Sequence, residues 1–214
     1  MSGFNFQNLI YTLPAILLAL TFHEYSHGLV SNLLGDDTPR LQGRLTLNPL
    51  RHLDPIGTIL LIYTSLASNF CFGWAKPVMV DPTRYKCNQK VGMMLVALAG
   101  PFSNFLLAVT GAVLMRLVSN GALPYNPYFL TFFLELCLIN ISLAAFNIIP
   151  LPPLDGSKVL AILLPSKYAN VVYSVGQYSL IILILLSITG IFNIIFHPLF
   201  KFILLGVAHL TGTL

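Results

Sequence analysis

Long apolar runs, broken only where charged or proline-rich stretches intervene, set the plan of this chain. Residues 1–22, 55–75, 91–115, 136–154 and 168–196 carry no acidic or basic side chain. A helix needs about 20 mostly apolar residues to cross the hydrocarbon of a bilayer, so four or five of these runs are candidate crossings. The shorter stretch at 200–213 predicts a tilted or membrane-surface helix. Two segments between the runs differ in texture. Residues 44–48 alternate polar and apolar side chains, and residues 77–81 read as another short extended piece. Together they predict a short membrane-surface β-hairpin that seals the helices or offers an edge to an unwound peptide. The expected fold class is therefore an all-α multi-pass membrane protein with this possible hairpin, a single integral-membrane domain over residues 1–214.

Composition strengthens that picture. The chain is 56% hydrophobic and 8% charged, against about 25% charged residues in an ordinary soluble domain. A soluble secreted enzyme with long mixed-charge surfaces is excluded. The apolar opening segment resembles a secretory signal but lacks a basic start and a small-residue cleavage site, so it is expected to be retained. The net charge of +4 forms no basic and aromatic stripe, which argues against nucleic acid as a partner. If residues 55–75 re-enter one face without crossing, Arg40, Arg44, Arg51, Lys76, Arg84, Lys86, Lys90, Lys158 and Lys167 share one side, with Arg116 and Lys201 opposite. That sorting predicts an exterior N-terminus and a cytoplasmic basic side of the cell membrane.

Candidate chemistry begins where the first apolar run ends, at His23-Glu24-Tyr25-Ser26-His27. Histidines four positions apart project from one helical face, and the glutamate between them, the only one in the first hundred residues, can reach water beside a bound metal. A catalytic zinc site commonly has three protein ligands and an open position. Asp155 is the best third ligand, because the prolines at 150, 152 and 153 stop a regular helix and Gly156 frees the backbone just beyond the carboxylate. A membrane-exit turn with a solvated aspartate is the plain alternative. Two imidazoles and a carboxylate favour one Zn²⁺ over Mg²⁺, with iron or another transition metal as the alternative.

The other candidates carry less. Cys71, Cys87 and Cys137 form neither a disulfide framework nor a thiolate metal motif. His52 and Asp54 read as interfacial supports, with a second metal site as the weaker reading. His197 and His209 have no comparable ligand set. In GPFSN at 100–104, Gly100 permits close backbone approach, Pro101 perturbs helical hydrogen bonding, and Asn104 offers a donor and an acceptor to a substrate carbonyl, a water or a neighbouring helix.

HEYSH at 23–27, GPFSN at 100–104 and NIIPLPPLDG at 147–156 together resemble the site-2 protease family of intramembrane zinc metalloproteases (peptidase M50-like). RLTLNP at 44–49 and FGWAKPV at 72–78 extend the resemblance over most of the chain. It implies a helical catalytic core over about 6–165, followed by C-terminal membrane helix or helices at 172–214. It also implies that His23, His27 and Asp155 bind zinc and that Glu24 assists hydrolysis. Asn147 would position substrate or offset charge on the cleaved carbonyl, where an interhelical hydrogen bond serves as well. No insertion of the size of a PDZ or CBS module is visible. The expected function is zinc-dependent endopeptidase cleavage in or near a substrate transmembrane segment. Its expected partners are a membrane-associated polypeptide and the lipid bilayer, with a separate regulatory protein as a further candidate. Zinc transport or non-proteolytic metal-dependent regulation is the alternative, although no row of acidic and histidine residues suggests successive transport sites.

Overall fold

The computed structural model describes residues 6–67 and 73–212, and helices dominate it. The helix α1 (Phe6–Leu33) runs for 28 residues, about 42 Å at the usual rise. After a four-residue α2 (Thr38–Leu41) comes α3 (Pro55–Ala67), then α4 (Gln89–Ser119) and α5 (Pro127–Ile148). The chain closes with α6 (Asp155–Leu163), α7 (Ser166–Gly176), α8 (Ser179–Ile188) and α9 (Ile191–Thr211). Asparagines start the long helices: Asn88 accepts from the N–H groups of Lys90 and Val91, and Asn126 accepts from Tyr128 just before Pro127. Those side chains satisfy donors that a helix start leaves open.

Among the described residues, three helices are long and apolar enough to cross a membrane: α4, α5 and α9. The pair Lys167–Gly176 and Ile181–Ile188, bent by 80°, is a fourth candidate if taken as one broken span. This revises the apolar-run expectation in two places. The run at 168–196 is divided among α7, α8 and the start of α9, with Gly190 at φ 75° opening the last turn. The stretch at 200–213, expected as a separate surface helix, is instead largely the second half of α9. The 13 residues of α3 cover only about 20 Å, too little to cross alone. Whether 55–75 continues across rests on residues 68–72, which lie outside the described residues, as does Cys71.

Helices α1 and α4 run antiparallel, and α5 returns beside both. Small residues set the spacing. Ala108 and Ala112 of α4 meet Cys137 and Ile141 of α5 and Val207 of α9 in one buried cluster. A side chain at Gly111 would stand 2.9 Å from the Phe133 carbonyl and 3.0 Å from the Cys137 nitrogen. Where lipid tails are as apolar as leucine, such close backbone approach is a main source of helix association. A second cluster, Ile149, Leu154 and Leu183 with Phe146, Phe192 and Phe196, ties the 149–154 turn to α8 and α9. At the far end of α4, Arg116 donates to the Thr211 carbonyl that ends α9. Lys201, expected at that end, falls near the middle of α9 and is exposed.

No strand forms among the described residues. Leu53 and Ala75 make an isolated antiparallel bridge, and residues 44–48 and 77–81 have no ladder between them. The 77–81 segment is anchored to the end of α1 instead. Asp36 is fully buried and accepts from the Asp81 N–H at 2.8 Å, the Ser31 hydroxyl at 2.8 Å and the Thr38 N–H at 2.9 Å. Burial pushes its carboxyl up, but hydrogen bonds from Thr38, Asp81 and Ser31 outweigh this and hold it below its usual value.

Candidate metal centre

His23 and His27 lie one turn apart on α1, both buried, with ring centroids 4.6 Å apart and planes nearly perpendicular. Their Nε2 atoms are 3.0 Å apart, and each is 3.1 Å from Oδ2 of Asp155. The spacing argument and the proline argument thus meet in one group whose ligand atoms all lie within 4.8 Å of one another. Among the described residues no other such group occurs.

Asp155 does not hang from an open turn. It begins α6, where its negative charge suits the positive end of the helix dipole. Gly156 supplies close approach where backbone freedom was expected, since a Cβ there would lie 2.1 Å from the Ile148 carbonyl oxygen. The 149–154 turn, with a cis peptide between Pro152 and Pro153, brings the chain from α5 back under the histidines. Lys158, one turn along α6, donates to Oδ1 of Asp155 at 2.8 Å. Oδ2 is left facing the imidazoles.

The protonation pattern shows whether these residues fit a metal. Nδ1 of His27 donates to the Val96 carbonyl at 2.6 Å, and Nδ1 of His23 donates to Oδ1 of Asn104 at 2.6 Å. Both partners are acceptors, so each ring carries a proton on Nδ1, which leaves Nε2 as the nitrogen that can offer a lone pair inward. These two nitrogens and a carboxylate oxygen converge within 3.1 Å of one another. With Nε2 unprotonated on both rings, that set repels itself unless a cation sits among them. Bonds of about 2.0–2.1 Å to a tetrahedral zinc place neighbouring ligands about 3.3 Å apart, close to the spacings found here.

Gly100 makes room for the group. A Cβ on it would lie 2.5 Å from Cε1 of His23 and 2.5 Å from Nε2 of His27. Asn104, one turn further along α4 and fully buried, donates from Nδ2 to the Ala19 carbonyl at 3.2 Å and to Oδ1 of Asn140 at 2.8 Å. Its carboxamide is therefore occupied on both sides, directed at His23 rather than into a cleft. Asn140 is not among the residues that the sequence pattern singles out. Its only signal is that it is a buried amide in an uncharged helical run. The Val96 carbonyl has no sequence signal at all.

Glu24 is half-buried beside the ligands, and its Oε2 accepts from the Val78 N–H at 3.0 Å. Gly28, one turn on, sits under Leu45, Pro39 and Val78, so the 77–78 segment passes directly over this part of α1. Asn147 is half-buried and donates to the Leu143 carbonyl of its own helix at 3.0 Å, apart from the Asn104 network. His52 and Asp54 are spent locally. The His52 ring donates to the Thr46 carbonyl at 2.8 Å, and Asp54 caps α3 through the Gly57 N–H at 2.9 Å.

Comparison with known proteins agrees with this geometry. The signature of peptidase family M50 fits residues 119–186, the part of the chain that carries Asp155. YwhC of Bacillus subtilis (strain 168) is 35% identical over 193 residues, covering 88% of this chain and 85% of that protein. Rip2 of Mycolicibacterium smegmatis is 28% identical over 180 residues, 83% of this chain and 66% of the relative. MJ0392 of Methanocaldococcus jannaschii is 29% identical over 122 residues, 55% of this chain and 34% of the relative. YwhC and Rip2 bear the name zinc metalloprotease provisionally and MJ0392 outright. No solved structure matches the chain significantly. With a similarity to YwhC that runs nearly end to end, and with the M50 signature around Asp155, the chain belongs to the M50 family of zinc metalloproteases.

Proposed function

We propose that this intramembrane zinc metalloprotease cleaves a peptide bond in or near a transmembrane segment of a membrane-embedded polypeptide, with Glu24 as the proton-carrying base. The carrying observation is the convergence of three atoms able to hold a metal, from His23, His27 and Asp155, inside a bundle of apolar helices. One Zn²⁺ is the ion we assign to them. When bound, zinc supplies Lewis-acid polarisation of a carbonyl and makes water a better nucleophile near neutral pH.

This chain's own residues account for the remaining steps. Glu24 accepts a proton from the attacking water and returns it to the departing amine. Its carboxylate is oriented for that task by the Val78 N–H. Lys158 holds Oδ1 of Asp155 and leaves Oδ2 directed inward. Asn104 serves the ligand His23, and the support of a substrate carbonyl falls to Asn147, whose hydrogen bond among the described residues is to its own helix. The substrate segment must unwind before attack, because a peptide bond within an intact helix is shielded and an unwound one needs polar partners that lipid cannot offer. We assign that role to the 77–81 segment, which passes beside Glu24. The basic residues near the start of α4 and the end of α1 favour a cytoplasmic location for this end of the bundle.

The test is reconstitution of purified wild type and Glu24→Gln with a panel of transmembrane peptides, read by mass spectrometry. Wild type yields a defined internal cut. Glu24→Gln keeps its zinc and loses turnover by about 10²–10⁴-fold, the range for a positioned general base. Equal cleavage by both proteins would remove Glu24 from the mechanism. Strong loss of zinc from the variant would make it a ligand instead.

A further inference from the structure

Three buried hydrogen bonds in series lead away from the metal centre, and their direction is set at the far end. Asn140 of α5 and Asn104 of α4 are both fully buried. The Leu136 carbonyl, a backbone acceptor that cannot turn round, receives Nδ2 of Asn140 at 2.8 Å. That leaves Oδ1 of Asn140 facing α4, where it can only accept, and Nδ2 of Asn104 donates to it at 2.8 Å. The Ala19 carbonyl takes the other Asn104 hydrogen at 3.2 Å. Oδ1 of Asn104 is consequently presented to His23, 2.6 Å from Nδ1.

The consequence is chemical. If the Asn104 amide were reversed, its NH₂ would face Nδ1 of His23, the ring proton would move to Nε2, and His23 would lose the lone pair it directs at Asp155. We infer that Asn140 is a positioning residue that acts through Asn104 and, with the Ala19 carbonyl, fixes the tautomer in which His23 can ligate metal. This rests on the reading of His23 as a zinc ligand and adds the source of its orientation. His27 needs no such relay, because its Nδ1 meets the Val96 carbonyl directly, so the effect is confined to one of the two histidines.

The experiment uses the purified full-length chain with ¹⁵N-labelled histidine, the His23 resonances being assigned with a His23→Gln variant. Tautomers are read in the metal-free protein, and zinc affinity by chelator competition. Wild type should show His23 protonated on Nδ1. Asn140→Leu should bring in the Nε2-protonated form and weaken zinc about 10-fold, the lower end for loss of an outer partner of a metal-bound histidine. Asn140→Ser, too short to reach Asn104, should do the same should leucine disturb packing. Asn104→Asp presents oxygen whichever way it turns. On that background Asn140→Leu should leave the tautomer and zinc affinity unchanged or improved.

An Nδ1-protonated His23 in both Asn140 variants would overturn the inference. So would an equal loss of zinc affinity on the two backgrounds, which would reduce Asn140 to a packing residue. Absence of zinc binding by wild type would instead overturn the underlying ligand assignment. The tautomer measurement still judges the relay in that case.

Discussion

At the scale of single residues, the metal centre is crowded by design, and Gly100 is where the crowding is tightest. A methyl group there would overlap both imidazoles, and these cannot retreat without breaking their bonds to Asn104 and Val96. Gly100→Ala should therefore abolish stoichiometric zinc while leaving helix content by circular dichroism near wild type; a variant that keeps one zinc per chain would show that the rings have room to move. Removing either histidine or Asp155 should likewise lose the metal, whereas Glu24→Gln should keep it.

The convergence of these three candidate ligands was legible from sequence because helical periodicity places His23 with His27 and because prolines end the helix before Asp155. The orientation of those ligands was not. It depends on the carbonyl of Val96 and on Asn140, and neither a backbone atom nor a lone helical asparagine has a distinctive spacing. Gly156 was recognised as special for the wrong physical reason, since packing distance, unlike chain flexibility, leaves no mark on local sequence.

At the scale of elements, the instructive region joins α1 to α4. Its alternating residues predicted strands, yet among the described residues only the Leu53 and Ala75 bridge forms. Capping and buried side chains take over the hydrogen bonds a ladder would have made, and Asp36 is the principal anchor. Its carboxyl is held below its usual value near 3.8, so its contribution is full above that pH and is lost as pH falls through the lower folded value. Hydrogen exchange at the Asp81 and Thr38 amides should thus accelerate below about pH 4 relative to an Asp36→Asn variant, whose exchange should already be raised at neutral pH. Matching protection in the two proteins at neutral pH would remove Asp36 as the anchor. The apolar runs were read correctly as helix but not always correctly divided. Composition records burial in lipid, whereas the breaks within 168–196 depend on a Gln177–Tyr178 turn and on Gly190, which long apolar stretches obscure.

At the scale of the whole molecule, the ends of the bundle differ. The end of α1, the start of α4 and the turn after α5 share one end with the metal centre nearby, while Arg116 and the close of α9 share the other. With the native cysteines replaced, a single cysteine at Ser119 or Leu123 should react with an impermeant maleimide in intact cells, and one at Arg40 or Lys86 only after permeabilisation. The reverse labelling would place the centre on the exterior side. Charge sorting made this arrangement partly legible beforehand, although Lys201, halfway along α9, shows that counting basic residues does not locate each one.

The two histidines and the aspartate stand on opposite sides of the α4 and α5 pair in sequence, 132 positions apart for His23 and Asp155. A nascent or truncated chain that stops before α6 owns two imidazoles and a glutamate but nothing that completes their grip on a cation. If the three side chains are the ligands we assign, hydrolytic power arrives only once α6 has been made.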